Sequence, residues 1–170
     1  MSDELYTPLQ NFRMTFNYLH TILPEPDFLM VYRNALKEIE DWYWKYIITQ
    51  NQFSAAGVSQ LQTDLKLGLW KIGQKWVQKP ENLTKRYLCY INESCALSLI
   101  YFRRLKEAII LLSLPLSNEN ESCQALMNAL VKDQLEAIQS ILNKINIQIL
   151  SNGQIRDVLR RRNDMLYSWN

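Results

Sequence analysis

The chain has 170 residues, 48% of them hydrophobic, with five prolines and four glycines. That length buries one core without requiring a second domain, and so few turn residues exclude a β-sandwich or barrel of many short strands. A formal charge of +2 and a pI near 8.4 exclude nucleic-acid or membrane binding driven by bulk electrostatics, leaving local patches only.

Thr7 and Pro8 read as N-cap and first position of a helix that carries Leu9, Phe12, Phe16, Leu19 and Leu23 on one side until Pro24 stops it. Leu23 to Asp27, LPEPD, is a rigid connector. Phe28 opens a second amphipathic helix through Tyr32, Leu36, Ile39, Tyr43 and Ile47 to about Thr49. Its run DWYWKY, Asp41 to Tyr46, packs four aromatics into six residues, more than one stripe can bury. Trp42, Trp44 or Tyr46 is therefore expected to face a second helix layer or a partner.

Ser54 caps a third helix, in which Val58, Leu61, Leu65, Leu69, Ile72 and Trp76 recur at steps of three and four. Gly57, Gly68 and Gly73 lie inside it, each costing on the order of 1 kcal/mol relative to alanine. Their positions beside the stripe point to close approach of neighbouring helices. Leu67 and Trp70 fall on the opposite face, which marks a central helix buried on two sides. Pro80, in the link Lys79 to Asn82, ends it.

A fourth helical stretch runs from about Glu81 to Leu112 through Tyr87, Leu88, Ile91, Cys95, Leu99, Phe102, Leu105 and Ile109, with a bend or break near Asn92 to Ser98. Leu114 to Ser122 is a polar loop with a cap at Ser117 or Asn118. The next helix, Glu121 to about Lys144, carries Leu126, Leu130, Leu135, Ile138, Ile141 and Leu142. Ile145 to Leu150 is the one strand-like run and reads as a link between helices. Ser151 or Asn152 caps a last helix through Ile155, Val158 and Leu159 to Arg160–Arg162, cations that suit a helix C-terminus. The sum is an all-α chain: a multi-helix bundle of about six mostly antiparallel helices in one domain, 1–170.

Charge is uneven along the chain. Met1 to Asp64 has four basic and eight acidic residues, and Leu65 to Ile110 nine basic and three acidic. The basic middle reads as the solvated face of two helices or as a surface for an acidic partner. Cys89, Cys95 and Cys123 form no CxxC pair and read as reduced core residues. The start, MSDELYTPLQ, lacks the basic and apolar regions of a secretory signal, so the sequons at Asn82, Asn92 and Asn120 are expected to stay unmodified.

Catalytic chemistry has no anchor. The single histidine, His20, has no ligand-spaced cysteine or histidine, and Glu38, Glu40 and Asp41 lack the paired Glu-x-x-His elements of di-metal bundles. No Gly-rich phosphate loop, G-x-S-x-G or H-E-x-x-H occurs. No enzyme activity and no cofactor or metal is expected.

The third helix also carries a resemblance. Phe53, Gly57, Gln60-Leu61-Gln62, Asp64-Leu65 and Leu69, followed by Lys79-Pro80-Glu81-Asn82, resemble the pattern F-x-x-x-G-x-x-Q-[LF]-Q-x-D-[ML]-x-x-x-L, then a basic residue and P-E-N, of the RINT/TIP family of vesicle-tethering subunits. The resemblance covers about Gln50 to Asn82, more weakly Leu23 to Thr49 and the final helix; Gly68, Gly73 and the loop around Asn118 fall outside the pattern. It implies the C-terminal helical domain of a longer rod-shaped subunit of the Dsl-type (NRZ) complex. Such a subunit acts in Golgi-to-ER retrograde transport on the cytosolic face of the endoplasmic reticulum, as a peripheral membrane protein. Implied partners are ER SNARE proteins and other tethering-complex subunits, with membrane association indirect and no small-molecule substrate or nucleic acid.

The matched motif reads as core and link, so the partner surface is sought by residue type. Trp42, Trp44, Trp70, Lys71, Lys75, Arg103 and Arg104 are the candidates, because tryptophan and arginine dominate interface hot spots. Two other readings stand beside the tether: a helical adaptor in DNA-damage or checkpoint signalling, a role also attached to this family, and a nucleic-acid-binding helical domain. The last would use Lys71, Lys75, Lys79, Lys85, Arg86, Arg103, Arg104 and Arg160–Arg162 with Trp70 and Trp76, though no recognition motif organises them.

Overall fold

A computed structural model describes residues 2–75, 102–116 and 123–165, with side chains in the first stretch described as far as Ile72. Trp76, the Pro80-Glu81-Asn82 link, most of the fourth helical stretch with Cys89 and Cys95, and the caps expected at Ser117 or Asn118 lie outside these residues. What is described is all-α, as the periodicity predicts. By contacts the chain falls into two compact units, one of Met1–Asp41 with Gln60–Phe102 and the other of Trp42–Ser59 with Arg103–Asn170.

In the first unit, α1 (Asp3–Ile22) and the bulk of α2 (Glu25–Trp42) meet through rings. Phe16 pairs with Phe28 at 6.2 Å and Phe12 with Tyr32 at 6.5 Å, a descending register that makes the two helices antiparallel. His20, exposed, lies edge-on to Phe28 at 4.8 Å. The Tyr32 hydroxyl, in the core, donates to the carbonyl of Ile72, which satisfies a buried polar atom and ties α2 to the third helix.

Helix α1 starts earlier than expected: Ser2 is its N-cap and Pro8 sits inside it, exposed. The Asp64 carboxylate explains the shift. It accepts from the Ser2 amide at 2.6 Å and the Ser2 hydroxyl at 3.0 Å, while Gln60 Nε2 holds the same carboxylate at 3.0 Å. An anion at the positive end of the helix offsets the bond that Pro8 cannot make. Two residues of the family pattern, Gln60 and Asp64, thereby gain a structural role.

The third helix is α3 (Ala55–Asp64), a π-helical turn (Leu65–Leu69) and α4 (Trp70–Lys75). Ser54 caps it as expected, accepting from the Gly57 amide at 3.2 Å. Val58, Leu61, Leu65, Leu69 and Ile72 are all buried, so the stripe is core. The glycines divide. Gly68 is buried in the π turn and lines a pocket with α1 residues. Gly57 is exposed, and an added Cβ would meet only Ser54 Oγ at 3.5 Å, so it belongs to the cap and not to a helix contact. Leu67, on the face opposite the stripe, is 46% exposed, so the expectation of a helix buried on two faces fails there.

In the second unit, α2 runs on as a π-helical segment (Tyr43–Ile48), closed by Thr49 N–H donating to Trp44 C=O at 3.0 Å. Buried Phe53 then makes a parallel bridge with Arg162: its amide donates to Arg161 C=O at 2.6 Å and its carbonyl accepts from the Asn163 amide at 3.0 Å. The rest is α5 (Arg103–Leu112), α6 (Cys123–Val131), α7 (Leu135–Lys144) and α8 (Asn152–Leu159). Phe102, with φ 62°, precedes α5 in the left-handed region.

The single helix expected over Glu121 to Lys144 is two. Asp133 adopts φ 49°, a conformation its short side chain tolerates, and Arg156 fixes the break by donating to Leu130 C=O and Asp133 Oδ1, both at 2.6 Å. The change of direction leaves Leu135 69% exposed instead of in the core. Ser151 caps α8 through a full capping box with Gln154.

Ile145 to Leu150 is the link between helices that its sequence suggested, held by one carboxylate. Buried Glu107 of α5 accepts from the amides of Gln148, Ile149 and Leu150 at 3.0–3.1 Å. The terminal arginines act on other helices. Arg162 is buried and donates to Leu111 C=O at 3.2 Å and Leu114 C=O at 2.6 Å, capping the C-terminus of α5, and pairs with Asp164. The Arg162 hydrogen bonds hold the Asp164 carboxyl below its ordinary range. Burial pushes the nearby Cys123 thiol up to about 11, with Arg162 pulling the other way.

Candidate aromatic and basic partner surface

The seven candidate residues divide between the units. Trp70, Lys71 and Lys75 belong to the first, and Trp42, Trp44, Arg103 and Arg104 to the second. In the first unit Trp70 opens α4 half-buried, Lys71 beside it is exposed, and the Lys75 side chain lies outside the described ones.

In the second unit the DWYWKY run cannot bury all its rings, because Tyr43 and Ile48 already take the inward positions. Trp42 is exposed, with its ring tilted against Tyr46 at 5.6 Å and edge-on to Tyr43 at 5.4 Å. Lys45 Nζ sits 4.9 Å from the Tyr46 ring. Trp44, on the other side of Tyr43, is half-buried under the Arg104 guanidinium at 5.5 Å, a cation–π contact of about 0.5–1 kcal/mol. Arg103 is exposed and donates to Gln148 Oε1 at 3.3 Å. The fold thus pairs Trp44 with Arg104, while Trp42 joins Tyr46 and Lys45. Lys45 was missed, although a lone cation between four aromatics is itself a signal.

Electrostatics favour anions at this unit. Residues 42–59 and 103–170 hold ten lysines and arginines against seven acids. Three of the acids are engaged internally: Glu107 by backbone amides, Asp133 by Arg156 and Asp164 by Arg162.

Arg13 was also missed. It lies four residues after Leu9 and three before Phe16, at the edge of the buried stripe of α1, and its Nε is buried. That spacing could have flagged it. Among the described residues no group of three or more His, Cys, Asp and Glu side chains could hold a metal ion, and no helix is long and apolar enough to cross a membrane.

These features describe an all-α protein whose second unit exposes Trp42 and sets Arg104 over Trp44. The chain belongs to the RINT-1/TIP-1 family, whose profile matches residues 1–162. The match extends the resemblance seen around Gln50 to Asn82 to nearly the whole sequence. No curated protein and no solved structure matches it. Membership suggests a tethering-type role in trafficking at the endoplasmic reticulum, with proteins as partners.

Proposed function

We propose that this chain is a non-catalytic protein-binding domain, the C-terminal part of a longer vesicle-tethering subunit that acts in Golgi-to-ER retrograde transport. It engages ER SNARE proteins and fellow subunits of a Dsl-type complex from the cytosolic face of the membrane. The family match over residues 1–162 carries this reading. The exposed Trp42 and the Arg104–Trp44 pair support it, because tryptophan and arginine are the side chains that most often anchor protein interfaces.

The test is a pull-down from cytosol and detergent-solubilised ER membranes with the chain as bait, read by mass spectrometry. ER SNAREs retained through moderate salt are the expected result. Capture of nuclear signalling proteins with no ER protein would overturn it in favour of the adaptor reading.

A further inference from the structure

We propose that the pocket where α1 meets the π turn of the third helix binds a carboxylate, supplied by an acidic side chain of a protein partner. This rests on the reading of the chain as a protein-binding domain. The pocket belongs wholly to the first unit and has a volume of about 40 Å³. Leu9, Leu67 and Ile72 give it apolar walls, Tyr6, Gln10 and Arg13 give it polar ones, and Gly68 withholds a side chain from it.

Arg13 sets the chemistry. Its Nε is buried and has no hydrogen-bond partner. A buried N–H left unmatched costs about 1–3 kcal/mol, more on a charged group, so a ligand that draws the side chain round to meet it from the pocket recovers that free energy on binding. The fork of Nε and one terminal nitrogen matches the two oxygens of a carboxylate in one plane. The Tyr6 hydroxyl, 55% exposed as a residue, already accepts from Gln10 Nε2 at 3.2 Å, so its own proton remains to be donated to an anion.

Size selects the ligand class. One water needs roughly 10–15 Å³ measured in this way, so the space takes a carboxylate and the end of its stem. Cofactors and drug-sized molecules occupy pockets of roughly 300–1,000 Å³ and do not fit. The tip of an Asp or Glu side chain does.

The test titrates the isotope-labelled chain with sodium acetate at fixed ionic strength, followed by NMR at the Arg13 Nε–H, the Gln10 side-chain amide and the Gly68 amide. Inorganic phosphate is titrated in parallel. Saturable shifts with acetate are expected. Arg13→Lys, which keeps the charge and loses the fork, weakens binding about tenfold, and Tyr6→Phe about threefold, with helicity unchanged. Absence of saturation, or saturation indifferent to both variants, overturns the site. Tighter binding of phosphate than of acetate overturns the partner side chain as its source in favour of a free anion. The pull-down separates the two proposals: SNARE capture with no acetate response defeats the pocket alone, and an acetate response with no ER partner defeats the tether reading alone.

Discussion

Arg162 Nη1 donates to the carbonyl of Leu114 at 2.6 Å, so a guanidinium 48 residues further along the chain closes the end of α5. Replacing it with methionine keeps the stem but leaves the Leu111 and Leu114 carbonyls and Asp164 without their donor. A loss of about 3 kcal/mol in urea unfolding is expected. Lysine restores less than half of it, because a point charge cannot serve three acceptors in fixed directions.

Glu107 is the counterpart on the acceptor side. Glu107→Gln turns an amide NH2 toward the backbone N–H groups of Ile149 and Leu150, and costs about 2–3 kcal/mol. Hydrogen exchange reports it locally: amide protection at Gln148, Ile149 and Leu150 falls before that of the α6 core.

Leu65 and Leu67, two residues apart, have opposite outcomes. Leu65 is fully buried, and Leu65→Asp places an unpaired charge in the core, which unfolds the first unit. Leu67→Asp is tolerated, since its side chain is 46% exposed at the wall of the pocket that Arg13 also lines. Circular dichroism melts of the two variants check the pair.

The acid side of the stability curve follows Asp164. Its carboxyl is held below the ordinary value of 3.8 by hydrogen bonds from Arg162, against a smaller opposing effect of partial burial. A carboxylate with a lowered folded-state pKa stabilises the fold above its unfolded value and loses that contribution as the pH drops through the folded one. Asp164→Asn is therefore less stable than wild type at neutral pH and converges on it below 3.8, as thermal melts across that range will show.

Cys123 is expected to be inert. Burial raises its thiol from 9.0 to about 11, so almost no thiolate exists at neutral pH. In a Cys89→Ser, Cys95→Ser background, a disulfide reagent reacts only after denaturant is added. The raised value has the opposite sign to that of Asp164: its contribution is complete below 9.0 and is lost as the pH climbs toward about 11.

Much of this was legible in one dimension. The buried stripe of the third helix, the caps at Ser54 and Ser151 and the link at Ile145 to Leu150 follow from side-chain period and capping chemistry, which act over a few residues. The π turn at Leu65–Leu69 was not legible, because it inserts a residue without changing composition. The break at Asp133 escaped because Arg156, 23 residues away, fixes it. For the same reason Arg160–Arg162 reads locally as an ordinary basic helix end, whereas Arg162 caps a helix distant in sequence. Of the candidate surface, periodicity showed that the DWYWKY aromatics exceed one stripe, but the pairing of Trp44 with Arg104 needed three dimensions.

The bridge between Phe53 and Arg162 bears on how the protein is made. During synthesis at about 5–20 residues per second, Phe53 waits for roughly 110 further residues before its bridge partner exists, a delay on the order of 5–20 s. The α3 stretch emerges in that interval with Phe53 and Val58 uncovered, although both are buried in the finished chain. Neither unit is contiguous in sequence, so neither can close from the N-terminus forward. The nascent chain therefore carries that apolar surface until Arg161 to Asn163 have been made, and a chain cut before Arg161 leaves the Phe53 amide and carbonyl without their partners.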